Sequence, residues 1–260
     1  MSETPVAQGS LAVTGRHFEY GFALGVIGIA GFVALVWVLL SGSFLVAAPG
    51  PTLRLLGQGL VTEGWLWPHI GATFRPVVIG LGLAIAGGVG FGIFLGRSPY
   101  WRSVFEPILL SLYAIPKITL FPVFLLLFGT GVESRIFMAV IHAIFPLAMN
   151  SMIGVATTNP THLKVARMAQ ARPWQVVTKI YVPSMAAPLV GGVRMGFSLA
   201  IIGVVLSELF AAKEGLGYLI MRSYGVLNVD RMFATILFLF LVAVVVNMSL
   251  WWVEKRLTTR

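Results

Sequence analysis

Cysteine is absent from this 260-residue chain, which excludes disulfides and thiolate metal sites and leaves the redox compartment open. Charge is scarce as well: Asp, Glu, Lys and Arg make up 10% of the residues, with nine acids against eighteen Lys and Arg. The four histidines, His17, His69, His142 and His162, lie far apart on unlike stretches, so the sequence offers no cluster of the kind a metal site or an acid–base centre needs. No G-x-x-x-x-G-K-[ST] stretch occurs, and with it the loop that cradles nucleotide phosphates is missing. An integral membrane enzyme would lack its working groups here.

What the chain has is apolar length. At 58% hydrophobic residues it is far from the balance of a water-soluble globule. A hydrocarbon core about 30 Å thick needs roughly 20 apolar residues in helical form, because backbone groups there find no water. Six stretches qualify: Tyr20 to Leu40, Val77 to Gly96, Ile108 to Phe128, Ile136 to Thr157, Met185 to Phe210 and Met232 to Val253. The expected fold is all-α and polytopic, with a bundle over 19–256, a cytoplasmic tail at 1–18 and a short tail at 257–260. The apolar run of the first stretch is too long for a cleaved signal peptide and is read as a retained helix.

The net charge of +9 points to lipid phosphates and cytoplasmic loops, and no nucleic-acid partner is expected. With six spans, the loops near 97–103 and 158–184 share a side with both termini. That side carries ten basic residues, among them Arg97, Arg102, Lys164, Arg167, Arg172 and Lys179, against five on the other, which places the termini in the cytoplasm. The segment Ser41 to Pro68 then falls outside and reads as a linker with one short helix near Pro51 to Leu60.

Helices gain little from hydrophobicity in lipid, so close approach depends on small residues. Gly80, Ala84, Gly88, Gly92 and Gly96 recur every four residues in span two, and Gly192, Gly196 and Ala200 form a shorter stripe in span five; packing within the chain is the favoured reading. Span three is interrupted by Pro107, Pro116 and Pro122, and irregular backbone at membrane depth belongs where protein or a water-filled cavity surrounds it. Lys117 beside the central proline needs a ligand or a partner such as Glu208. Tyr113, Pro116, Lys117, Phe121, His142, Asn150 and Glu208 are the candidate pathway residues. An ion-gradient-driven secondary transporter, the alternative, would want intramembrane carboxylates, and Glu208 is its one serious candidate.

The longest loop on the side of the termini is NPTHLKVARMAQARPWQVVTKIYVP, Asn159 to Pro183. Asn before Pro starts a helix, expected from Pro160 to about Gln170, and Arg172-Pro173 begins a second, giving a helical hairpin in water. Leu163, Val165, Ala166, Met168 and Trp174 have no lipid to enter there, and a soluble partner is the reading placed first.

Lys164 to Pro183 resembles the loop of binding-protein-dependent ABC permeases commonly written Glu-Ala-Ala, three residues, Gly, nine residues, Ile, any residue, Leu, Pro. Ala166, Ile180 and Pro183 match, Val182 replaces Leu, Lys164 stands for the acid and Gln170 for the glycine. IPKITLFPVFLLLFGTG at Ile115 to Gly131 and SELFAAKEGLGYLI at Ser207 to Ile220 look like segments of the nitrate, sulfonate, taurine and bicarbonate branch. The resemblance implies a type I importer permease of the bacterial inner membrane, non-catalytic, carrying a small anionic solute. It implies no cofactor on this chain: ATP and Mg belong to two separate ATPase subunits. A second, identical permease copy and an external solute-binding protein complete the set. The coupling residues would be Leu163, Lys164, Val165, Ala166, Met168, Ala169, Gln170, Ala171, Arg172 and Trp174.

Overall fold

A chain this apolar satisfies its backbone in lipid by pairing each amide within its own segment, and every regular element among the described residues is helical. The computed structural model describes residues 28, 31–41 and 46–258. The expected tail at 1–18, half of the first expected span and residues 259–260 lie outside them. Helix α1 (Gly31–Leu40) is the described part of that span. After it come α2 (Pro49–Gly57), extended by a π turn at Gln58–Thr62, and α3 (Leu66–Gly96). Next are α4 (Pro99–Ala114), a 3-10 turn at Lys117–Leu120, α5 (Phe121–Phe128) and α6 (Val132–Ala156). Then follow α7 (Pro160–Met168), α8 (Pro173–Val176), a π turn at Val177–Tyr181 and α9 (Val182–Ser184). The chain ends with α10 (Ala186–Ala211), α11 (Leu216–Gly225) and α12 (Val229–Thr258).

Helices α3, α6, α10 and α12 are each long and apolar enough to cross a membrane, and α4 with the turn and α5 forms a further pair bent by 77°. Two expected spans need correction. Span two begins at Leu66 rather than Val77, because Pro76 is accommodated inside the helix. Proline cannot donate to the carbonyl four residues back. Here that carbonyl, Ala72 O, takes a hydrogen bond of 3.2 Å from the Arg135 guanidinium of α6 instead. Span three is no single helix from Ile108 to Phe128. It starts at Pro99 and breaks at Ile115 and Pro116, both in extended backbone, since the residue before a proline is driven out of the α region.

The small-residue stripe of α3 lies against α6. A methyl group added at Gly88 would come within 2.8 Å of Ile144 O, and one at Gly96 within 2.6 Å of Met152 O. Gly196 of α10 faces Ala143 on another side of the same helix. Helix α6 is thus gripped between α3 and α10, around a core of Val77, Ala84, Ala139, Leu147, Ala200 and Val204. Both stripes serve packing within the chain. At one end of the bundle α11 lies over Leu56, Leu66 and Ala234, with Leu216 and Leu219 turned inward. At the other end α7 and α8 project.

Candidate functional site

The hairpin is built by local chemistry. Asn159 Oδ1 accepts from the amide of Thr161 at 2.9 Å, Pro160 fills the first helical position, and α7 ends at Met168, two residues before the expected stop. The chain reverses through Ala171 N–H to Ala166 O at 2.9 Å, with Gln170 at φ 51°. The left-handed region suits glycine, the residue of the resembled motif at this position. Gln170 adopts the turn that glycine would make. Beyond it Arg172 N–H donates to Gln175 Oε1 at 2.8 Å and starts α8.

The ten residues expected at the hairpin surface divide. Met168 is 84% exposed, Trp174 73% and Val165 59%, and Lys164, Ala169, Gln170 and Arg172 also face out. Leu163 and Ala166 do not: Ala166 is buried, and Leu163 packs on Val155, Tyr181 and Met185 at the ends of the long helices. Ala171 is half-buried. Leu163 ties the hairpin to the bundle, because the inner face of a short helix is held by the spans it joins. A groove of about 480 Å³ runs between the two arms, past His162, Val165, Gln175 and Lys179.

The candidate pathway residues fall into three places. Tyr113, Pro116 and Lys117 gather at the break of the bent pair. Phe121 follows at its far side, buried, with its ring centroid 6.3 Å from that of Phe210. Lys117 Nζ donates to Tyr113 O at 2.7 Å and lies 4.6 Å from the centre of the Tyr113 ring and 5.1 Å from that of Phe145 on α6. In an unbroken helix Tyr113 O would receive the backbone amide of residue 117. The side chain of the same residue supplies the bond where the backbone cannot.

His142 and Asn150 lie on α6 and meet α10, the first buried and the second half-buried. His142 is buried against Gly203 of α10, its Nδ1 2.8 Å from Met138 O. Asn150 packs on Gly192 and donates to Pro146 O at 2.8 Å. Glu208 does not meet Lys117. It is 1% exposed, 3.6 Å from Arg135 Nη1, and it accepts from Thr73 Oγ1 at 2.8 Å and from the Gly217 amide at 2.9 Å. Neither Thr73 nor Arg135 is among the candidate pathway residues read from the sequence. The available signal was Pro76, whose orphaned carbonyl requires a donor from another helix.

No group of three or more His, Asp or Glu residues among the described ones is placed to hold a metal ion. What the geometry offers is a bundle with a polar break in one span and an apolar-tipped hairpin at one end. The family model described as "Binding-protein-dependent transport system inner membrane component" matches residues 88–259, a stretch that contains both features. The chain belongs to this family. It is an ABC transporter permease, a multi-pass transport component with the type I importer fold.

A probable ABC transporter permease protein of Haemophilus influenzae is 30% identical over 232 residues, covering 88% of this chain and 94% of the relative. The taurine transport system permease protein of Escherichia coli is 26% identical, over 79% of this chain and 75% of its own length. A formylaminopyrimidine transport permease protein of Halalkalibacterium halodurans is 30% identical, over 75% and 78% respectively. In this permease, residues 115–131 hold the break and the second half of the bent span, and residues 207–220 carry Glu208 into α11.

Proposed function

We propose that this permease lines the membrane path of an ATP-driven importer and receives its driving movement through the hairpin of residues 159–183. The observation that carries the reading is the exposure of Met168 and Trp174 at the tip of a hairpin flanked by Lys164, Arg167, Arg172 and Lys179. Basic flanks favour the cytoplasmic side, where no lipid covers a projecting tip. Apolar side chains there are stabilised by entering a pocket on another protein. In this reading both termini are cytoplasmic, two ATPase subunits bind ATP and Mg, and each takes one hairpin. A second copy of the chain completes the path, and a solute-binding protein delivers cargo from outside.

The solute is small and carries an anionic head, of the sulfonate or taurine kind; nitrate, bicarbonate and aromatic acids share that charge. The taurine permease of E. coli, a relative, supports this class, and so does the cation Lys117 at the break of the bent span. The secondary-transporter alternative rested on Glu208, whose carboxylate is engaged by Arg135, Thr73 and the Gly217 amide.

The test is a pair of tip variants, Met168→Glu and Trp174→Glu, in the complex reconstituted with its ATPase subunits and binding protein. The expected result is membrane insertion at the parental level with at least roughly tenfold loss of solute-stimulated ATP hydrolysis, the effect of about 1.4 kcal/mol at the interface. Parental transport by both variants would remove the docking role.

A further inference from the structure

Helix α11 begins without a cap of its own. Its preceding residue is Gly215, at φ 112° and with no side chain to accept from the first turn. The opening amides of any helix must find acceptors. Here three successive ones find them on other helices. Gly215 N–H donates to His69 Nδ1 at 3.2 Å, Leu216 N–H to Thr73 Oγ1 at 2.8 Å and Gly217 N–H to Glu208 Oε2 at 2.9 Å. Thr73 Oγ1 in turn donates to the same Glu208 oxygen at 2.8 Å, so one hydroxyl joins α3, α10 and α11. A Cβ at residue 215 would run into the Glu208 carboxylate, and glycine is required for the approach.

The second oxygen of Glu208 faces Arg135 of α6, which reaches on to Ala72 O and to Glu214 Oε1 at 3.3 Å. The arrangement has two layers. The inner one, Glu208 with Thr73, is buried; the outer one ends on Glu214, whose side chain is 63% exposed. Beneath α11, Leu216 and Leu219 rest on Leu56 and Leu66. The helix is therefore fixed by both polar and apolar contacts to the ends of the long spans opposite the hairpin.

We propose that Glu208 is a positioning residue for transport: with Thr73 and His69 it clamps the first turn of α11 to α3 and α10, so that this helix moves as one piece with those spans when the path changes access. The proposal rests on the importer reading above. A carboxyl group suits the task because one of its oxygens accepts from both the Thr73 hydroxyl and the Gly217 amide, and α11 presents the positive end of its dipole to it. The shift of the spans driven at the hairpin then reaches the opposite mouth without loss in a loop.

The experiment uses the assembled importer in liposomes with Thr73→Val, Thr73→Ser, Glu208→Gln and Glu214→Gln. Two quantities are read: hydrogen exchange at the amides of residues 215–217, and solute molecules carried per ATP hydrolysed. Thr73→Val, which keeps the shape and removes the hydroxyl, is expected to raise exchange roughly fivefold to tenfold, as loss of a buried hydrogen bond does, and to lower the transport ratio. Thr73→Ser restores both, and Glu214→Gln leaves the three amides protected. Glu208→Gln follows Thr73→Val; if it fails to insert, the threonine pair decides alone. Unchanged exchange in Thr73→Val overturns the clamp. Raised exchange with an unchanged transport ratio overturns its part in transport. If the parent chain does not copurify with an ATPase subunit, the importer reading falls first, before any variant is compared.

Discussion

At the scale of single residues, charges in this chain have particular partners. Arg135 and Glu208 show 6% and 0% side-chain exposure and stand 3.6 Å apart. Removing one member of such a buried pair leaves the other uncompensated, so Arg135→Ala should lower stability by about 3–5 kcal/mol, read as a drop in detergent melting temperature. Gln170 is the opposite case. A left-handed backbone costs a non-glycine residue about 1–2 kcal/mol, and Gln170→Gly should stabilise the hairpin by about 1 kcal/mol, checked by slower hydrogen exchange across residues 166–171. Lys117 spends one donor on Tyr113 O and keeps two. Lys117→Met is expected to reduce uptake of an anionic solute about tenfold, while a neutral analogue is reduced less. Equal losses for both solutes would assign the lysine to holding the break alone.

At the scale of elements, run lengths and small-residue spacing made the spans legible. The four-residue stripe on α3 named the face that meets α6, and Gly88→Val should cost about 1–3 kcal/mol through overpacking against Ile144 O and Leu147, visible as a lower melting temperature. Three prolines marked span three as broken, but the 77° bend was not readable, since direction depends on what α6 offers: Phe145 beneath Lys117, and Phe137 stacked 4.1 Å from Phe128. The hairpin was visible from Asn159-Pro160 and Arg172-Pro173. Which side of it faces outward was not, because that depends on Val155, Tyr181 and Met185, which receive Leu163. The clamp on α11 joins residues 69, 73, 208 and 217, and no local pattern links such distant positions.

For the whole molecule, the natural absence of cysteine makes direct tests of topology simple. A single Thr161→Cys, exposed at the start of α7, should react with a membrane-impermeant maleimide only from the cytoplasmic side, and Tyr224→Cys on α11 only from the other. Labelling of both from one side would overturn a membrane crossing by α10 between them. The bundle also ties distant substitutions together. Pro76 withholds an amide from Ala72 O, and a guanidinium from a neighbouring span takes up the vacancy. Restoring the amide with Pro76→Ala would make that bond redundant, so the effects of changing positions 76 and 135 should not add. In lineages of this permease the two sites are then expected to drift as a pair, the proline being free to disappear only where the arginine's duty to it has lapsed.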